Sequence, residues 1–131
     1  MSTRPDAARS HKIPIVREVA QMAVAQHDLE GMLPQPAVSP TALERLFAVI
    51  QERQAHPREG SYTCRLLAQG GDKVAKKVGE EAIEVVLAAC GQGPARLLSE
   101  SADLVYHLMV LLAAHNLTLD DLYRELEERM T

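Results

Sequence analysis

Residues 72–115 read DKVAKKVGEEAIEVVLAACGQGPARLLSESADLVYHLMVLLAAH, two apolar-rich segments on either side of a Gly-Gln-Gly-Pro stretch. Apolar residues recur at helical spacing in the first segment, for example at Val74, Val78 and Ala82, and no part of either segment alternates like a strand. Glycine and proline at 91–94 stop one helix and let the next begin. The stretch therefore predicts two helices, over about 72–90 and about 95–115, folded back on each other as an antiparallel hairpin.

Two acidic pairs interrupt this apolar pattern. Glu81 and Glu84 are spaced i, i+3, and so are Glu100 and Asp103, so that each pair projects from one helix face. Glu84 lies about eight residues before the centre of the turn and Glu100 about eight after it, which at 1.5 Å per residue puts them at similar depth. We therefore expect four carboxylates around one cavity. Their oxygen-only chemistry favours Mg²⁺, with Mn²⁺ as a substitute, over zinc.

Further polar residues share these helix faces. Lys73 and Lys77 come about three and two turns before Glu84, with Lys76 beside them, and the N-terminal half of a helix suits phosphate binding. Glu80, next to the predicted ligands, is placed to orient or deprotonate a water molecule. His107 follows the second acidic pair on its face, where it would either bind phosphate or orient a ligating carboxylate.

The rest of residues 41–131 also reads as helical. A helix is predicted from Thr41 to a stop at His56-Pro57, a short one from a Ser61 cap, and a last one from Thr118. The predicted fold is all-α, with four core helices and short connections. Because the helix after the turn is apolar nearly all round, burial against a second copy is expected, giving a helical-bundle homodimer.

Residues 1–40 differ from this domain. Residues 1–12 are polar and predicted to be disordered, residues 14–30 carry a weak helical stripe, and prolines at 34, 36 and 40 read as a linker. The chain is thus divided into an N-terminal extension, 1–40, and an all-α domain, 41–131.

Composition excludes several classes of function. The 131 residues carry a net charge of −4 and 3% aromatic residues, which argues against nucleic-acid binding. The two cysteines fit no metal spacing and no apolar leader segment precedes them, so a cytoplasmic protein with reduced thiols is expected. The apolar run 104–114 is too short to span a membrane, and no membrane partner is expected.

The same polar residues also have a plainer interpretation. Acidic pairs and Glu–Lys pairs on helices usually belong to solvated surface, and a lone histidine is usually a core residue. A helical interaction module with an acidic surface would then bind no metal and hydrolyse nothing. Two acidic pairs at matched depth, close to a lysine-rich turn, favour the metal site over this alternative.

Several motifs of this chain resemble those of a known family. The runs KKVGEEAIE at 76–84 and ESADLVYH at 100–107 resemble phosphoribosyl-ATP pyrophosphatases, which belong to the all-α nucleoside triphosphate pyrophosphohydrolases, the MazG-like superfamily with its E-E-x-x-E and E-x-x-D motifs. Arg53 and the Gly-Ser-Tyr-Thr element at 60–63 also look like this family. The resemblance extends from about residue 43 to about residue 126.

The resemblance implies a Mg²⁺-dependent hydrolysis of phosphoribosyl-ATP to phosphoribosyl-AMP and pyrophosphate, the second step of histidine biosynthesis. It also implies functional coupling to phosphoribosyl-AMP cyclohydrolase. The alternative within the superfamily is a house-cleaning pyrophosphatase for (d)NTPs. The implied metal ligands are Glu81, Glu84, Glu100 and Asp103, with Glu80 assisting the water; the implied substrate residues are Lys73, Lys76, Lys77, Ser61, Tyr62 and Thr63, with Arg53 and His107 as further candidates.

Overall fold

The computed structural model describes residues 41–131, so the predicted extension 1–40 with its helix at 14–30 lies outside the described residues. Over 41–131 the chain forms helices and no strand, which confirms the predicted all-α class. Four of the helices are long, as predicted, and one is short. They are α1 (Ala42–Ala55), α2 (Tyr62–Gln69), α3 (Gly71–Ala89), α4 (Pro94–Ala114) and α5 (Leu119–Met130).

The predicted hairpin of α3 and α4 is the main helix pair of the domain. Pro94 occupies the first turn of α4, where its missing N–H costs nothing, and Gly93 takes a φ of +87° that other residues rarely adopt. Asn116 has a φ of +58° and ends α4, as expected from its type. Gly70 is the cap residue of α3, and Asp72 lies in the first turn, where its charge suits the helix dipole.

The core of the domain is centred on α4. Tyr106, Met109, Val110 and Ala113 are all buried on this helix, at the i, i+3, i+4, i+7 spacing of a single stripe. The facing helices contribute Phe47, Val49, Ile50, Leu66, Val74, Ala88 and Leu119.

Helix α4 also satisfies the length and composition of a membrane span, being 21 residues long. The apolar run 104–114, which is too short to span a membrane, is only part of this helix. This likeness is weak, because core helices of globular proteins meet the same criterion. Glu100, Asp103 and His107 are all buried on this helix inside the domain, which is the setting of a core helix.

Helix α2 is held against the hairpin at its first turn. Ser61 caps it as predicted, its Oγ accepting a hydrogen bond from the Cys64 N–H at 3.2 Å. Thr63 is buried and its hydroxyl lies 2.5 Å from the Tyr106 hydroxyl on α4. This cap and this contact fix the residue between them, Tyr62, beside the hairpin.

Candidate metal centre

Three carboxylates meet inside the hairpin. Glu81 on α3 and Glu100 and Asp103 on α4 each offer an oxygen, and these oxygens lie within 4.8 Å of one another. All three side chains are buried, and Glu100 has no solvent exposure at all. Carboxylates in such surroundings need positive charge to offset their desolvation. The donor set is oxygen only, which fits a hard divalent cation.

The other two predicted acidic residues lie outside this group. Among residues 41–131, the group within 4.8 Å does not include Glu84, which is half-buried one turn further along α3. Glu80 is exposed and its carboxylate lies 3.6 Å from the Lys77 ammonium. The hairpin thus brings one residue of the first acidic pair together with both residues of the second.

Each helix of the hairpin also brings a cation to its own buried carboxylate. The Lys77 Nζ lies 3.3 Å from Glu81 Oε1, and an Arg96 Nη lies 2.8 Å from Glu100 Oε1. Both pairs have the spacing i, i+4, with the base N-terminal to the acid. Both bases are partly exposed, so each lies between its carboxylate and the solvent.

The charges of this cluster contribute to pKa shifts of Tyr62 and Lys77. Burial raises the pKa of the Tyr62 phenol; Lys77 opposes that rise, while Glu81 and Asp103 add to it. Burial lowers the pKa of Lys77, but Tyr62, Glu81 and Glu80 together outweigh it and leave the pKa raised. Lys77 therefore stays a cation and Tyr62 a neutral phenol at neutral pH.

His107 links Tyr62 to the backbone beneath the cluster. Its Nδ1 lies 2.6 Å from the Asp103 carbonyl oxygen, so that Nδ1 carries a hydrogen and donates it. Its Nε2 lies 3.1 Å from the Tyr62 hydroxyl, which in the neutral ring donates to it. The two rings meet edge to face, with centroids 6.0 Å apart. His107 is buried, with both ring nitrogens engaged.

The remaining predicted substrate residues occupy varied settings. Lys73 and Lys76 are exposed on the first turns of α3. Arg53 is buried near the end of α1, where its guanidinium contacts Glu52. Ser61 and Thr63 are both buried. Ser61 caps α2, and the Thr63 hydroxyl contacts the Tyr106 hydroxyl.

Two residues of the site were missed by sequence reasoning. Arg96 carries a usable signal, because its i, i+4 spacing to Glu100 repeats that of Lys77 to Glu81. Tyr106 carries none, since a tyrosine on an apolar helix indicates packing, and only the placement of α2 shows that its hydroxyl meets Thr63.

The all-α fold and the meeting of the two acidic motifs in one helical hairpin agree with the class that the sequence resembles, the all-α nucleoside triphosphate pyrophosphohydrolases. Within that class, the family model described as phosphoribosyl-ATP pyrophosphohydrolase matches residues 43–130. The chain belongs to this family, as the resemblance in its motifs predicted.

Named relatives agree with this assignment. A phosphoribosyl-ATP pyrophosphatase of Limosilactobacillus fermentum is 53% identical over 66% of this chain and 82% of its own length. Another, of Sulfurisphaera tokodaii, is 45% identical over 71% of this chain and 99% of its own length. The histidine biosynthesis bifunctional protein HisIE of Caldanaerobacter subterraneus is 51% identical over 66% of this chain, which corresponds to 42% of that longer protein.

Proposed function

We propose that this chain hydrolyses phosphoribosyl-ATP to phosphoribosyl-AMP and pyrophosphate in histidine biosynthesis, with Mg²⁺ as the cofactor. The observation that carries the proposal is the buried oxygen cluster of Glu81, Glu100 and Asp103, which joins both halves of the family motif in one place. Membership of the family supplies the substrate, because its relatives are named for it.

The donor set fits a magnesium ion. Glu81, Glu100 and Asp103 would hold it, and Glu84, half-buried one turn away on α3, would complete the set of acidic ligands. When bound, Mg²⁺ neutralises phosphate charge and lowers the pKa of a coordinated water molecule. The same oxygen donors accept Mn²⁺.

The other residues of the site would act on the substrate and the water. Lys77 is partly exposed at the edge of the cluster that faces solvent, which we call its mouth. It would bind phosphate oxygens together with the exposed Lys73 and Lys76 on the preceding turns. Glu80 is exposed beside them and would accept the proton of the attacking water. The bond that breaks is the anhydride between the α- and β-phosphates, since the products are a monophosphate and pyrophosphate.

The first turn of α2 would form one wall of the substrate site. Tyr62 is half-buried there, with an Arg65 guanidinium 5.9 Å from the centroid of its ring. His107 would orient Tyr62, since both of its ring nitrogens are engaged in hydrogen bonds. Ser61 and Thr63 would hold this wall in place. Arg53, buried near the end of α1, stays a candidate for a substrate contact.

The surface of the hairpin supports the homodimer. Ile83, Val86 and Leu87 form one exposed apolar stripe on α3, and Leu98 and Val105 form another on α4. Exposed apolar stripes of this kind on a helical hairpin mark a protein–protein interface. A second copy of the chain would cover them.

Coupling to phosphoribosyl-AMP cyclohydrolase is supported by the bifunctional HisIE relatives, of which this chain matches less than half. The expected location is the cytoplasm, in keeping with two free cysteines in the described domain. No nucleic-acid or membrane partner is part of the proposal.

Product analysis tests the proposal most directly. We expect the purified chain, given phosphoribosyl-ATP and Mg²⁺, to release pyrophosphate rather than phosphate, and to release none when EDTA removes the metal. The variant Glu81→Gln should lower kcat/KM by about a hundredfold or more, because even residues that only support a metal ligand contribute ten- to hundredfold.

The matched control is Glu125→Gln, which neutralises a carboxylate paired with an arginine on the exposed surface of α5. It should leave kcat/KM within about twofold of the parent, because exposed ion pairs contribute little. Faster turnover of dUTP or dCTP than of phosphoribosyl-ATP in a substrate panel would contradict the proposal and favour the house-cleaning alternative.

A further inference from the structure

Arg96 stands out as a cation of the site that the sequence motif does not include. It lies near the start of α4, one turn before the acidic pair, and its guanidinium meets Glu100 at 2.8 Å. Glu100 is completely buried, whereas 22% of the Arg96 side chain is exposed. The guanidinium therefore lies on the solvent side of a carboxylate that belongs to the metal centre.

We propose that Arg96 is a displaceable counter-ion: it neutralises Glu100 while the metal site is empty and moves to a phosphate group of the nucleotide when the metal binds. The second half of this inference, the move of Arg96 to a phosphate group, rests on the proposed function. Its first half concerns the nucleotide-free protein alone.

The displacement follows from charge. A guanidinium cannot lose its proton in a protein, so Arg96 cannot resolve repulsion from a nearby dication by becoming neutral. Its contact with Glu100 and a metal bond to the same carboxylate therefore oppose each other. Because its side chain is partly exposed and long, it can turn outward without disturbing α4.

The new partner follows from position. When the Arg96 guanidinium turns away from Glu100, it lies at the solvent-facing mouth of the cluster. A metal-bound polyphosphate must enter there. A guanidinium binds phosphate oxygens through two parallel hydrogen bonds, which a lysine cannot reproduce. Gln92, whose side-chain oxygen accepts from the Arg96 Nε at 3.3 Å, holds the guanidinium near this mouth. Lys77 has the same relation to Glu81 on α3, so the hairpin carries one such base on each helix.

Two measurements on Arg96→Gln test the two halves. In calorimetric titration of the nucleotide-free protein with Mn²⁺, the variant should bind the metal about three- to tenfold more tightly than the parent, because a competing cation is gone. In turnover of phosphoribosyl-ATP at saturating Mg²⁺, its KM should rise about tenfold or more, because a charge-assisted hydrogen bond to phosphate is lost.

Arg96→Lys and Arg129→Gln complete the design. Lysine keeps the competing charge, so Mn²⁺ affinity should stay close to that of the parent while KM rises. Arg129 contacts Glu125 at the same 2.8 Å distance and i, i+4 spacing but on the exposed face of α5, so Arg129→Gln should change neither quantity.

Each half of the proposal has its own contrary result. Mn²⁺ affinity that is unchanged or weakened in Arg96→Gln overturns the counter-ion, and an unchanged KM overturns the transfer to phosphate. If the parent protein hydrolyses no phosphoribosyl-ATP, the proposed function fails, while the Mn²⁺ titration still decides the counter-ion. The KM comparison then uses whichever nucleoside triphosphate the parent hydrolyses.

Discussion

The three carboxylates of the candidate metal centre repel one another when no cation lies between them. Three carboxylates lie within 4.8 Å in a buried setting. At an effective dielectric constant of about 20, two unit charges roughly 4–5 Å apart repel by about 3–4 kcal/mol. Lys77 and Arg96 offset part of this repulsion for Glu81 and Glu100. If the proposed metal binds here, the arrangement lowers the stability of the metal-free protein and raises its affinity for a dication.

Asp103→Asn separates these two effects. The amide has nearly the same shape, and the Asp103 carbonyl that accepts from His107 is part of the backbone and stays in place. Without divalent metal, the free energy of unfolding should rise by about 1–2 kcal/mol, because one like charge is removed. The gain of about 2.7 kcal/mol that a site-saturating hundredfold excess of Mg²⁺ over its Kd gives the parent should disappear.

Urea unfolding of parent and variant, with EDTA and with saturating Mg²⁺, measures both quantities. Glu127→Gln removes an exposed carboxylate of α5 and is the control, which should behave like the parent in both conditions. An Asp103→Asn protein that is less stable than the parent in EDTA would show that the carboxylate supports the fold instead of straining it.

At the scale of one helix, α5 shows how a sequence signal fixes a boundary. Thr118 Oγ1 accepts from the Asp121 N–H at 3.1 Å, and the Asp121 carboxylate accepts from the Thr118 N–H at 2.8 Å. This capping box satisfies two N–H groups that a helix start leaves without partners. The hydrogen bonds from Thr118 lower the pKa of Asp121, with a smaller contribution from Arg124.

The cap predicts a pH-dependent contribution to stability. Thr118→Ala should lower the free energy of unfolding by about 1 kcal/mol at neutral pH. Because the folded pKa of Asp121 is below the unfolded value of about 3.9, its stabilising effect is complete above that value and is lost as the pH falls through the folded pKa. The difference in stability between the parent and Asp121→Asn should accordingly shrink below about pH 4.

Urea unfolding at a series of pH values, for the parent and both variants, measures these differences. Arg124 lies 3.5 Å from Asp121 on the exposed surface, so Arg124→Gln is the control and should have a small effect at every pH. A gap between the parent and Asp121→Asn that widens toward acid would contradict this account.

At the scale of the whole molecule, the hairpin of α3 and α4 has a polar buried side and an apolar exposed side. The inner side holds the carboxylate cluster, and the outer side exposes the apolar stripes that the homodimer proposal uses. Val86 is 59% exposed and Leu98 72% exposed in the single chain. Burying such side chains contributes about 1.5–3 kcal/mol each relative to leaving them in water.

Val86→Glu should therefore convert a dimer into a monomer, because a carboxylate placed in an apolar interface has no partner there. Sedimentation or light scattering at matched protein concentration measures the mass of each variant. Met130→Glu is the control: this residue is 77% exposed at the end of α5, outside the two apolar stripes, and its replacement should leave the mass unchanged. A parent protein of monomeric mass would refute the proposed assembly.

The sequence by itself determined the helices, since apolar spacing, caps and glycine–proline stops are local signals that each segment carries alone. It also placed Glu81 near Glu100 and Asp103, because a hairpin with a short turn leaves few ways to pair two helices. Tertiary structure decided which acids meet within 4.8 Å: counting residues gives depth along a helix but not rotation about its axis, and this group contains Glu81, Glu100 and Asp103 without Glu84. It also decided that His107 meets Tyr62, a contact between residues 45 positions apart that depends on how α2 docks.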